Sequence, residues 1–172
     1  NIFKISKKNL LKKKEIFNNS SAKIFVPNSF TKDIFLKSRI FKKIKTQTLF
    51  LGTDEKRIKS YSKKASRKFL NLPENEKIIL FGCFNLDSPH KGGDLLKRSI
   101  KLLLLEIKKR KLNLNETKKI RLVTFGRKNT FNLVLPELEW THLGMVSSIR
   151  KLNYIYRASD VLVCPSTYDM GP

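Results

Sequence analysis

The 172-residue chain is poor in the residues that build metal and disulfide sites, with two cysteines and two histidines. Cys83 and Cys164 each end an apolar run, without CxxC spacing and without a neighbouring histidine, which argues against a zinc site or a redox pair. We expect two reduced thiols in a buried sheet, as suits a cytoplasmic protein. His90 and His142 are too few and too separated to suggest a metal centre, so no metal is expected. No DxD pair occurs, which disfavours a metal-held diphosphate. GxxxxGK[ST] and GxGxxG are both absent, which removes the Walker loop and the dinucleotide fingerprint. Glycine and proline, 7 and 6 residues, are too sparse for a collagen-like or low-complexity chain. No run reaches the roughly 18 apolar residues that cross a bilayer, and no signal peptide is visible.

Acidic residues are scarce as well: 14 stand against 37 Lys and Arg, a formal net charge of +23. Such an imbalance attracts nucleic acid, anionic lipid or phosphorylated ligands. The basic residues are spread along the chain, however, amid abundant Lys, Asn, Ile and Phe, as an AT-rich coding sequence produces. A clustered basic stripe, a zinc finger and an RNP-like aromatic pattern are all missing, so a nucleic-acid-binding module is the rival reading and not the preferred one. Hydrophobic residues make up 40%, enough for a core. The chain starts at Asn1 and stops at Pro172, just after an apolar run, and we expect it to be cut at both ends.

Residues 1–20 are basic with scattered apolar positions and read as a solvated helix with one buried stripe, a membrane-surface helix being the alternative. Lys23 to Pro27 reads as a strand. Ser29 is expected to cap a helix from Phe30 to Ser38, and Thr48 to Leu51 forms a second strand. A polar, charged stretch follows, with a helix from Lys63 to Leu70 and a turn at Pro73-Glu74-Asn75. Next comes the apolar run Ile78 to Phe81, the mark of a parallel strand covered on both faces. Leu95, Leu96, Ile100, Leu103, Leu104 and Ile107 then recur at helical spacing between Gly92 and Lys111. Strands are expected at Ile120 to Phe125, near Glu139 to Leu143, and at Val161 to Cys164, with a helix from Ser148 to Ala158. This alternation implies an α/β fold with a parallel sheet.

Open parallel sheets bind ligands beyond the carboxyl ends of their strands. Three of the four strand ends here are followed by glycine: Gly82, Gly126 and Gly144. The first leads through Cys83 to His90-Lys91-Gly92-Gly93, where two glycines precede a long helix and its backbone N–H groups can face an anion. Asp169, beyond the last strand, is one of few acids and can hold sugar hydroxyls; a helix N-cap is its plainer role.

Lys91-Gly92, Leu143-Gly144-Met145-Val146 and above all Tyr156-Arg157-Ala158-Ser159-Asp160-Val161-Leu162-Val163-Cys164-Pro165-Ser166 together resemble the retaining glycosyltransferases of family 4. Val26-Pro27-Asn28-Ser29-Phe30 and Leu51-Gly52-Thr53-Asp54 add to the resemblance, which spans residues 20–172. It implies a GT-B fold, with residues 1–50 ending an acceptor-binding N-terminal lobe, 51–77 linking the lobes, and 78–172 forming an incomplete nucleotide-sugar-binding lobe. It implies sugar transfer from a nucleotide-diphosphate-sugar co-substrate to a glycan or lipid-linked acceptor, with retention and without another cofactor or a metal. The setting would be cell-surface polysaccharide or glycolipid synthesis, in the cytoplasm or at the inner face of an anionic membrane. By resemblance Lys91 and Asp169 are catalytic. Gly82, Cys83, His90, Gly92, Gly126, Gly144, Met145, Met170 and Gly171 border the donor. Cys83 stands where many members carry an arginine, and His90 replaces another. The second acid of the family's E-x7-E motif would lie past Pro172, so this piece alone is expected to be inactive. A catalytically dead partner subunit is a further alternative.

Overall fold

The computed structural model of the chain describes residues 2–38, 40–41, 44–50, 52, 54–110, 119–132 and 138–167. The chain divides into two compact units that part between residues 53 and 54.

In the first unit, helix α1 (Ile2–Asn18) precedes a small parallel pair, β1 (Ile24–Val26) and β2 (Thr46–Thr48), joined through helix α2 (Ser29–Lys37). A helical crossover is what parallel neighbours require. Two expectations shift. The cap of α2 is Asn28, not Ser29: the Asn28 side chain accepts from the Thr31 N–H at 2.8 Å. β2 lies earlier than the apolar Thr48–Leu51 run suggested. Its register, Ile24 with Thr46 through Val26 with Thr48, uses polar residues, while Leu49 and Phe50 are exposed. On α1, Leu10, Leu11 and Ile16 are exposed, and contact with the unit comes from Phe17, edge-on to Phe41 at 5.0 Å.

The second unit begins with a short 3-10 turn, Glu55–Arg57, and contains helix α3 (Lys63–Phe69), capped by Ser62, then β3 (Lys77–Asn85), α4 (Gly93–Lys109), β4 (Ile120–Arg127), β5 (Glu139–His142), α5 (Ile149–Ala158) and β6 (Val161–Leu162). The four strands form one parallel sheet in the order β5-β4-β3-β6. Side chains alternate across it. Phe81 and Leu122 join Leu96, Ile100 and Leu104 of α4 in one core, while Ile78, Leu80 and Val123 join Leu70, Tyr154, Ile155 and Ala158 in the other. Burying both faces explains why β3 and β4 read as continuous apolar runs. Tyr154 of α5 is stacked against Tyr61 at 4.0 Å and Phe69 at 4.1 Å, which fixes α5 against α3.

Here too the sequence reading needs correction. Leu95 and Leu103 are more than a third exposed, because the buried stripe of α4 is narrowed to Leu96, Ile100, Leu104 and Ile107. β6 is a two-residue edge strand with Val161 and Leu162 about half exposed, and Cys164 is exposed rather than set in a buried sheet. β3 and β4 run on past their apolar cores, so Gly82, Cys83 and Gly126 lie inside strands and not in the loops after them.

A buried cation anchors the corner of the unit. Arg67, 4% exposed, donates to the carbonyls of Ala158, Pro73 and Glu74 and to the Asp160 carboxylate at 2.8 Å. Asp160 also accepts from the Ile78 N–H at 2.7 Å and from Lys63 at 2.8 Å. One carboxylate thus ties α3, the start of β3 and the entry to β6. Burial pushes its pKa up, but the hydrogen bonds from Lys63 and Ile78 and the charges of Lys63 and Arg67 outweigh it and hold the pKa below the ordinary value.

Candidate functional site

All four strands of the second unit point the same way, so their carboxyl ends share one rim. Three junctions draw the following segments together. After β3, the Leu86 N–H donates to the Arg127 carbonyl at 2.9 Å, and Asp87 accepts from the N–H groups of Asn129 and Thr130 and from the Thr130 hydroxyl. The Thr130 hydroxyl and the Asn129 N–H lower the Asp87 pKa against a small desolvation, so this carboxylate is committed to holding the turn after β4. Between β4 and β5, the Gly126 N–H donates to the Gly144 carbonyl at 2.8 Å. Past β6, the Thr167 N–H donates to the His90 carbonyl at 2.9 Å.

Lys91 ends a short 3-10 turn, Pro89–Lys91, and Gly92 stands at the N-cap position of α4. Gly92 is buried at φ 73°, and a Cβ on it would collide with the Pro165 carbonyl oxygen. A side chain here would push the Lys91 turn off the segment after β6, so glycine sets the approach of the two loops. No side chain caps α4. Its first turn therefore offers backbone N–H groups and the positive end of a 17-residue helix beside Lys91. His90 is exposed on the same turn, and Lys91 is half-buried.

Gly82 lies under the Phe125 ring, where a Cβ would strike it, and therefore serves strand packing. Gly126, at φ 120°, faces the Cys83 carbonyl so closely that a Cβ would overlap it. Gly144 sits beside open space, with Met145 exposed next to it. The structure thus gathers Cys83, Gly126 and Gly144 at one part of the rim, and joins His90, Lys91 and Gly92 to Pro165 and Thr167 at another. Asp169, Met170 and Gly171 lie outside the described residues.

Several groups escaped the sequence reading. Arg127 lies over the Phe84 ring at 5.4 Å, and Lys128 over Trp140 at 4.5 Å. Trp140 Nε1–H donates to Thr124 Oγ1 at 2.9 Å, and Thr124 Oγ1 lies 3.0 Å from His142 Nδ1. Thr124 then has its own proton to give, which suits a neutral imidazole protonated at Nε2. Burial first, and the Lys128 charge second, lower the His142 pKa and favour that neutral form. The available signal was positional: Arg127, Lys128 and His142 all stand at strand ends. Among the described residues no group of His, Cys, Asp and Glu could hold a metal ion, and no helix is long and apolar enough to cross a membrane.

No protein-family model matches the chain, and no curated protein matches it. Among solved structures it is similar to sucrose-phosphate synthase from Thermosynechococcus elongatus, with a TM-score of 0.65 and 20% sequence identity. The match covers 96% of this chain and 40% of that one, so the chain spans two-fifths of the length of the structure it resembles. At this identity the likeness is one of fold, and the fold is α/β with parallel sheets, of the GT-B type.

Proposed function

We propose that the chain belongs to a glycosyltransferase of the family 4 kind. The enzyme transfers a sugar, with retention, from a nucleotide-diphosphate-sugar to a glycan or lipid-linked acceptor. Residues 78–172 are the donor side of this reading, and residues 1–50 the end of the acceptor lobe. The observation that carries it is the junction of Lys91 and the uncapped start of α4 with the segment after β6, on the strand-end rim of a GT-B-type sheet. That junction supplies a point charge, backbone donors and a helix dipole in one place. These groups suit a diphosphate whose negative charge grows as the sugar–phosphate bond breaks. No metal is called on. Cytoplasmic placement, contact with an anionic membrane face and a role in cell-surface glycan synthesis belong to the same proposal.

Lys91→Ala tests it. A charge-assisted contact is worth up to about 3 kcal/mol, or on the order of a hundredfold in rate. The loss is expected in turnover and donor use, with acceptor dependence nearly unchanged, because the contact strengthens in the transition state. Lys91→Arg restores activity in part, since a planar fork replaces a point charge. Steady-state kinetics with donor and acceptor varied separately reads both, and wild-type turnover in Lys91→Ala would sink the proposal.

A further inference from the structure

The register between β3 and β4 breaks near its carboxyl end: Gly82 pairs with Phe125, but Asn85 pairs with Arg127. β3 therefore carries one residue more than β4 over this stretch. The irregularity is built in, since Gly126 takes up φ 120° against the Cys83 carbonyl, a contact no Cβ would allow. Bulges of this kind re-aim side chains and recur beside active sites. Here the result is Phe84, an aromatic ring 68% exposed, lying under the guanidinium of Arg127 at 5.4 Å. Arg127 is itself exposed and forms no ion pair among the described residues. Lys128 follows it on the same rim, held over Trp140.

An exposed aromatic ring buries little and gains nothing from the core. Its contact is with a cation, and stacking pre-orients a guanidinium that would otherwise sample many rotamers. A guanidinium carries paired N–H donors, the geometry that meets two phosphate oxygens at once. We infer that Arg127, positioned by Phe84, is a phosphate-binding residue of the donor site, contacting the nucleoside diphosphate independently of Lys91. This inference rests on the glycosyltransferase reading for the nature of the ligand, but its geometry belongs to this chain's own bulge.

The test is equilibrium binding of UDP, ADP and GDP, with uridine, adenosine and guanosine as phosphate-free counterparts, to wild type, Arg127→Ala, Arg127→Lys, Phe84→Ala and Lys91→Ala. Arg110→Ala serves as a charge-matched surface control. Arg127→Ala is expected to lose about tenfold or more in affinity for the diphosphate that binds best, as one charge-assisted contact predicts. Nucleoside affinity should stay unchanged, and Arg127→Lys should recover part of the loss. Phe84→Ala, acting through Arg127, should lose a smaller factor, again only for diphosphates. A wild type that binds no nucleoside diphosphate overturns the glycosyltransferase reading, and this inference with it. Diphosphate binding that falls in Lys91→Ala but matches wild type in Arg127→Ala overturns the inference alone. Equal losses in Arg127→Ala and Arg110→Ala also overturn it, because they reduce the effect to net charge.

Discussion

At the scale of single residues, two glycines that read as turn signals in the sequence serve strand packing instead. Gly82 and Gly126 both follow apolar runs, yet both lie inside strands and both answer to packing. Gly126 is the more demanding, because its backbone sits at φ 120° and its neighbour is the Cys83 carbonyl rather than a movable side chain. Gly126→Ala must therefore strain the backbone and displace β3 together. Unfavourable backbone regions cost about 1–3 kcal/mol, and the displaced strand adds to that. The expected outcome is a destabilisation of at least about 2 kcal/mol, read as a lower midpoint of urea unfolding with an unchanged slope. An unaltered midpoint would mean that the bulge is not held by this contact.

At the scale of elements, what was legible followed from burial. β3, β4, α4 and α5 stood out because two covered sheet faces and one helix stripe impose strong periodicity. β2 was misplaced because its polar residues, Thr46 to Thr48, pair while the more apolar Leu49 and Phe50 stay exposed. Strand ends were missed because glycine, read as a turn signal, here serves close approach. Arg67 and Asp160 are 93 residues apart, and no local pattern announces their pairing. Its consequence can be measured. Removing one partner of a buried pair costs about 3–5 kcal/mol, so Arg67→Ala should lower stability by that amount, visible as an earlier thermal transition. The pH dependence has a definite sign. Asp160 has a lowered pKa, so its contribution is full above the ordinary carboxylate range and is lost as pH falls through the lowered value. Asp160→Asn should therefore be less stable than wild type at pH 7, and the gap should narrow on acidification below about pH 5. Parallel stability curves for the two proteins down to pH 2 would contradict this assignment.

At the scale of the whole molecule, the net charge of +23 invites a nucleic-acid reading and the site invites a diphosphate reading; salt separates them. The basic residues run through the chain from Lys4 to Arg157, and several are already paired: Lys63 and Arg67 with Asp160, and Arg121 with Glu76. Attraction of such a chain to DNA would come from many phosphate contacts without a base-reading element. Its strength should then fall by about 10³-fold or more between 50 and 200 mM salt, as 6–10 phosphate contacts predict, and be indifferent to sequence. A nucleoside diphosphate carries few charges. Held by Lys91, Arg127 and the start of α4, it should keep its affinity to within about tenfold over the same range, because only a few ionic contacts are screened. Titrating duplex DNA and UDP, ADP or GDP against the chain at both salt concentrations measures the two slopes side by side. DNA binding that survives 200 mM salt and prefers one sequence over scrambled duplexes would favour the nucleic-acid reading. A steep loss for DNA beside a shallow one for the diphosphate would leave the charge as background and the strand-end rim as the selective feature of the molecule.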